Sequence, residues 1–366
     1  MKIENTSDLA CFIEGCTLLG TGGGGNPDEG FRILKSVLEE KGPIEWVDVS
    51  IIPDDALAIC TFLMGSTAPL SEEKLKQKRE LGMSELRHPM NLHNAVCEWE
   101  EYTGKKVDII VPLEVGGSNM PVPMAVAVRS GKTIVDGDYA GRALPEISQA
   151  TLILEDVPFC PAASVDKYGN VVLIKETINL DVSERMGKFL SMVAFGSTGL
   201  AGFPVRGNRL KRLLVPGSVS RALRLGRILK SVHDHDTSLR DQMQKMGGRF
   251  LFRGRTSKIT ASDEEGYYTG FYHLEGEEDF KGDTLKIFFK NENHIAWKNG
   301  KYLVSSPDLI CCINPETIRP MRNEQIQTGA PLEVYAFPCH ELLRRKKIVR
   351  NLSPTHFGFE ETYMPL

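Results

Sequence analysis

The chain has 366 residues, 41% apolar and 25% charged, values that fill a folded core and exclude a disordered or low-complexity protein. A net charge of −4 gives no broad positive field, so nucleic acid and anionic lipid are not expected partners, and the basic clusters at 206–212 and 344–347 read as solvated faces. The length exceeds what one compact core fills, which predicts two domains, 1–165 and 166–366.

Apolar runs are too short for a membrane span, and residues 1–10 mix charged and polar groups instead of forming a secretion signal, so a cytoplasmic protein is expected. Eight scattered cysteines lack paired zinc spacing, and reduced thiols are expected.

Thr6 or Ser7 precedes apolar residues at helical spacing (Leu9, Phe12, Ile13, Cys16, Leu19), predicting a helix that Gly20 stops. Thr21-Gly22-Gly23-Gly24-Gly25 then leads into Asn26-Pro27, a capping residue and first-turn proline for a second helix to about residue 40. Such a loop at a helix N-terminus suits a carboxylate or phosphate, although no strand precedes it and no nucleotide-binding signature follows. Four glycines in a row exceed what a helix–helix turn needs, which favours binding by Gly22, Gly23, Gly24, Gly25 and Asn26.

Strand-like runs at 44–49, 56–62, 106–113 and 133–135 alternate with helical stretches at 71–81, 88–102 and 119–129. That alternation predicts a three-layer α/β/α domain with a mostly parallel sheet. Its ligand edge is the carboxyl end of the strands, and three segments reach it. Cys60-Thr61-Phe62-Leu63-Met64-Gly65-Ser66-Thr67-Ala68-Pro69 brings Met64 and Gly65. Glu114-Val115-Gly116-Gly117-Ser118-Asn119 brings a carboxylate with Gly116, Gly117 and Asn119. Asp136-Gly137-Asp138-Tyr139-Ala140-Gly141-Arg142-Ala143-Leu144-Pro145-Glu146 brings three acids and an arginine.

Carboxylates meeting in one crevice separate into an acid and a base, so Glu114, Asp136 and Asp138 are expected to carry proton transfer, with Arg142 stabilising negative charge and Glu146 touching substrate. A structural Asp–Arg turn and a divalent cation are the alternative readings of the third segment. Cys60, Cys311 and Cys312 lie in apolar runs and are expected to be buried and inert. Cys339-His340 is adjacent, not spaced as a catalytic pair. The run His233-Asp234-His235-Asp236 sits on a predicted helix, where residues two apart face different ways, so no metal is assigned to it.

Beyond the first domain, 181–195 and 218–246 read as helices. Short β-branched and aromatic runs at 249–260, 266–274, 284–290, 294–298, 301–305 and 332–337, punctuated by Asn-Gly and Glu-Gly turns, then predict a β-barrel-like or sandwich domain.

The glycine loop, the Glu114 and Asp136 segments and the terminal Leu352-Ser353-Pro354-Thr355-His356-Phe357-Gly358-Phe359 together resemble the S-methyl thiohydantoin desulfurase family over nearly the whole chain. The resemblance implies an N-terminal α/β domain, a C-terminal β-barrel-like domain, and hydrolytic removal of sulfur from a thiohydantoin ring, in a family with hydantoinase- and oxoprolinase-associated relatives. It transfers no catalytic residues.

The expected function is therefore hydrolysis of a thiohydantoin or related cyclic amide without metal or other cofactor, leaving a homo-oligomer open. A non-catalytic binding or partner subunit of a hydantoinase-like system is the second reading. A metal-dependent cyclic amidohydrolase using Asp136, Asp138 and His88 or His93 is the third.

Overall fold

The computed structural model describes residues 1–65, 70–235, 237–264 and 266–366. Helix α1 (Thr6–Leu19) is capped one residue earlier than its sequence suggests, by the Asn5 side chain accepting from the Asp8 N–H. Helix α2 (Pro27–Lys41) starts as expected, with Asn26 as the cap and Pro27 in the first turn. Helices α3 (Glu72–Glu80), α4 (Asn91–Thr103), α5 (Pro121–Arg129), α6 (Leu180–Val193) and α7 (Gly207–Leu213) follow. The expected long helix at 218–246 is two, α8 (Ser218–His235) and α9 (Leu239–Lys245), because the Ser238 hydroxyl caps a new start by accepting from the Asp241 N–H. Helix α10 (Lys346–Leu352) lies near the C-terminus. Among the described residues no helix is long and apolar enough to cross a membrane.

The N-terminal sheet has six strands: β1 (Leu57–Gly65), β2 (Ile109–Pro112), β3 (Thr133–Ile134), β4 (Ala162–Val165), β5 (Val171–Ile174) and β6 (Ser197–Arg206). Their order is β3-β2-β1-β6-β4-β5. Only β1–β2 and β2–β3 pair in parallel; β1–β6, β6–β4 and β4–β5 are antiparallel, so the sheet is mixed and not mostly parallel as expected. The strand that overturns the expectation is β6, whose Gly199, Gly202 and Pro204 read as strand breakers. The glycines are there for close approach. A Cβ on Gly199 would lie 2.7 Å from the Leu92 nitrogen of α4, and one on Gly202 would lie 2.7 Å from the Phe159 ring.

The C-terminal sheet has eight strands, β7 (Arg249–Glu264), β8 (Tyr267–Gly276), β9 (Thr284–Lys290), β10 (Glu292–Lys298), β11 (Lys301–Ser305), β12 (Leu309–Asn314), β13 (Arg319–Pro320) and β14 (Pro331–Phe337). All neighbours are antiparallel in the order β11-β10-β9-β8-β7-β14-β12-β13. The expected barrel does not close: edge strands β11 and β13 form no ladder with each other among the described residues.

The glycine loop joins the two sheets. Its Thr21 and Gly22 carbonyls accept from the Asn293 and Asn323 N–H groups at 2.7 and 2.8 Å, tying it to the C-terminal half. On its other side the Gly24 carbonyl accepts from the Ser118 and Asn119 N–H groups, both at 3.2 Å. Gly24 has φ +81°, and a Cβ there would lie 2.5 Å from the Gly116 Cα, a backbone contact that cannot swing aside. Gly24→Ala is therefore expected to lower stability by about 2 kcal/mol or more, the left-handed cost plus the displaced loop. Gly104→Ala, at φ +66° with open space around its Cβ, loses only about 1 kcal/mol. Urea midpoints of the two variants make the comparison.

Candidate functional site

A cavity of about 200 Å³ opens at the carboxyl end of β1 and β2, where the glycine loop meets the first residue of β10. Gly23, Gly24, Gly25 and Asn26 form one wall, Met64 and Gly65 another, and Glu114, Asn119 and Glu146 face it from the loops after the strands. Sequence reasoning named all of these. It did not name Glu29 of α2, Glu184 and Lys188 of α6, Asn291 just before β10 or Glu292 at its start, which also line it.

The local sequence explains each position. Glu114 ends the buried Ile109–Pro112 strand two residues on and is 6% exposed. Its Oε2 accepts the Leu144 N–H at 2.5 Å and its Oε1 accepts from Asn119 Nδ2, so both oxygens are held. Glu292 enters from the opposite half at 3% exposure, and its Oε2 has no hydrogen-bond partner. Burial pushes Glu292 up to about 7, against the pull of Arg142, Lys188 and the Gly24 N–H. Burial and the like charge of Glu292 raise Glu114 well above the usual carboxylate range, although its Leu144 and Asn119 hydrogen bonds oppose this. Two like-charged buried carboxyls this close oppose each other's ionisation, so both are raised by the same environment.

Around the pair the charges are matched. Glu184 accepts from the Ile147 N–H at 2.9 Å and the Tyr267 hydroxyl at 3.1 Å, and burial raises its pKa against the opposing pull of Lys188. Lys188, one helical turn on, lies 4.0 Å from the Tyr267 ring centroid, and burial lowers its pKa against the attraction of Glu184 and Glu292. Burial would raise Glu146, but His356 at 2.9 Å and Lys290 at 2.6 Å outweigh it and hold the carboxyl at about 2. Glu146 thus stays ionised and cannot act as an acid near neutrality.

The remaining expected site residues lie off the cavity. Gly22 accepts from Asn323, and Gly116 and Gly117 pack on Gly24 and Pro27; their role is to fit two loops together. Asp136 accepts from the Ser220 N–H at 2.9 Å and from its hydroxyl, anchoring the first turn of α8. Asp138 is 0% exposed and closes a tight turn by accepting the Ala140 and Gly141 N–H groups; burial pushes it up to about 7.

Arg142 is also 0% exposed. Its Nε donates to the Ala143 carbonyl, one terminal nitrogen to Pro307 and Asp308, and the other to Thr21 Oγ1 and Asn293. All five N–H groups are thereby committed, which leaves none for a developing oxyanion.

His88 contacts the Asn94 side chain and His93 the Cys97 thiol, and neither lines the cavity. Among the described residues no group of three or more His, Cys, Asp and Glu is arranged to hold a metal ion. Cys60, Cys311 and Cys312 are buried, and desolvation raises all three thiols, Cys312 to about 12. Asp236 of the histidine run and residues 66–69 of the Cys60 segment lie outside the described residues.

The missed residues left faint traces. Glu184 and Lys188 are four apart on α6, and the polar stretch Lys290-Asn291-Glu292-Asn293-His294 interrupts two apolar strands. Neither marks a cavity without knowledge that the two halves meet at the glycine loop.

Fold and cavity define an α/β protein with an acid-lined pocket of small-molecule size at the seam between its two large sheets. The chain belongs to the S-Me-THD-like family, whose N-terminal domain model matches residues 7–176 and whose C-terminal domain model matches 178–366. A crystal structure of a protein from Chromobacterium violaceum is similar over 100% of both chains, with a TM-score of 0.75 and 22% identity, which shows a shared fold. Comparison with curated proteins gives no match.

Proposed function

We propose that the chain is a hydrolase that removes sulfur from an S-methylated thiohydantoin or a related cyclic amide. The observation that carries this reading is the buried Glu114–Glu292 pair facing the cavity, one carboxyl held on both oxygens and the other with an unpartnered oxygen and a pKa of about 7. A general base is most effective with a pKa near the working pH. Membership of the S-Me-THD-like family supports a thiohydantoin-related substrate.

In the proposed reaction Glu292 takes a proton from water as its oxygen bonds to the ring carbon bearing sulfur. Negative charge developing on the ring is met by the Lys188 ammonium and the N–H groups of the glycine loop. The carbon–sulfur bond then breaks, and Glu292 returns the proton to the leaving thiolate. The second water proton ends on the ring nitrogen, so one water yields one hydantoin and one methanethiol. Glu114, held by Leu144 and Asn119, lines the same cavity as a buried carboxyl that the charge of Glu292 keeps protonated to higher pH. Glu146, locked by Lys290 and His356, orients the ring N–H groups.

The test is turnover of S-methyl thiohydantoin in water enriched in oxygen-18, with thiol release and product mass followed together. One thiol per ring with the label in the new carbonyl is expected. Binding without thiol release identifies a ligand-binding protein instead, and activity lost on chelation and restored by a divalent cation identifies a metal-dependent enzyme.

A further inference from the structure

Five carboxyls line the cavity, those of Glu29, Glu114, Glu146, Glu184 and Glu292, and among the described residues one cation, Lys188. Two of the five are ion-paired with the carboxylate turned inward. Glu146 meets Lys290 at 2.6 Å and Glu29 meets Lys167 at 2.9 Å, and neither lysine belongs to the lining. Glu292 adds a buried carboxyl oxygen with no hydrogen-bond partner.

The glycine loop does not reverse this sign. A Cβ on Gly23 would lie 2.0 Å from Glu292 Oε1, so the chain's own carboxyl already sits against the loop, and a ligand carboxylate arriving there meets like charge. The first turn of α2 beyond the loop carries Asp28 and Glu29, which answer the positive end of that helix.

The acids also differ in depth. Glu292, Glu114 and Glu184 are buried, whereas the Glu29 side chain is 25% exposed and stands toward the mouth. What Glu29 holds there is an ammonium. Lys167 lies on the turn after β4, and its side chain is 31% exposed, so it can swing into water at little cost.

We infer that the cavity takes a ring bearing an aminoalkyl substituent, and that Glu29 selects it by exchanging the Lys167 ammonium for that of the ligand. The ring seats against Glu292 as in the reaction proposed above, on which this inference rests, and its substituent runs out to Glu29. A charged hydrogen bond to Glu29 is present before and after the exchange. A carboxyalkyl substituent is repelled at the same place.

Calorimetric titration with three hydantoins, carrying an aminobutyl, a pentyl or a carboxybutyl chain on the ring, tests this without any turnover. The aminobutyl ring is expected to bind about fivefold more tightly than the pentyl ring, and the carboxybutyl ring most weakly. Glu29→Gln is expected to bring the aminobutyl ring down to the affinity of the pentyl ring. Lys167→Met, which removes the competing ammonium and leaves Glu29 in place, is expected to strengthen aminobutyl binding about fivefold further. A pair that merely braces the mouth would instead lose affinity for all three rings in both variants. Equal affinities, a carboxybutyl ring bound most tightly, a preference that survives Glu29→Gln, or weaker aminobutyl binding in Lys167→Met overturns the inference alone. Failure of all three rings to bind overturns it together with the ring chemistry, and the expected preference without thiol release from the S-methylated ring leaves it standing while removing the reaction.

Discussion

Glu292→Gln is expected to cut turnover of the thiohydantoin by about two to four orders of magnitude while leaving the fold and the binding of the unreacted ring intact, the usual loss when a general base is removed. Glutamine keeps the shape of the side chain and removes its titration. The wild-type enzyme should lose kcat/KM as the pH falls through about 7, because the base must be ionised and Glu292 protonates there.

Lys188→Met supplies a second readout. It removes one of the cations that lower the Glu292 pKa, so the acid limb should move to higher pH in addition to any fall in rate. Stability runs the opposite way. A carboxyl whose pKa is higher in the fold than in the open chain favours the fold at acid pH, and that contribution is lost as pH rises through about 7. Activity and stability should therefore diverge across neutrality, which separates a titrating base from general unfolding. A wild-type rate and pH profile in Glu292→Gln would remove Glu292 from the chemistry.

What the sequence disclosed follows from how local each feature is. The glycine loop, the Asn26-Pro27 helix start and the strand end at Glu114 are set by neighbouring residues, and each sits at the cavity. Sheet order is not local. Strand β6 slots antiparallel beside β1, and its glycines, which signal breaks in isolation, answer to Leu92 and Phe159 far away in sequence. The same holds for the acids. Asp136 and Asp138 follow a strand as Glu114 does, but the chain turns there toward α8, so Asp136 meets Ser220 and Asp138 its own turn. The second cavity carboxylate comes instead from residue 292, across the interface between the halves. A strand-end acid in sequence thus identifies a candidate, and the partner that raises its pKa is legible only once the sheets are placed.

Arg142 provides the sharpest contrast between the two ways of reading an arginine beside acids. An oxyanion donor would be dispensable for folding and indispensable for rate, so its removal would leave a folded, slow enzyme. The geometry predicts the reverse order of effects. Arg142 joins the glycine loop at Thr21, the start of β10 at Asn293 and the turn at Pro307 and Asp308 with bonds of 3.0 to 3.3 Å. Arg142→Leu fills part of the volume but leaves these buried carbonyls without donors, and deleting one partner of such a buried charged network costs about 4 kcal/mol. That is a large share of the roughly 5–15 kcal/mol that holds a typical folded chain together. Arg142→Lys keeps the charge but cannot span the acceptors on both sides, and should recover only part of the loss. The expected result is a markedly lower urea midpoint for Arg142→Leu, an intermediate one for Arg142→Lys, and activity that falls in step with the folded fraction. A wild-type midpoint in Arg142→Leu beside a rate reduced a thousandfold, the scale of a lost oxyanion donor, would place the guanidinium in the reaction after all.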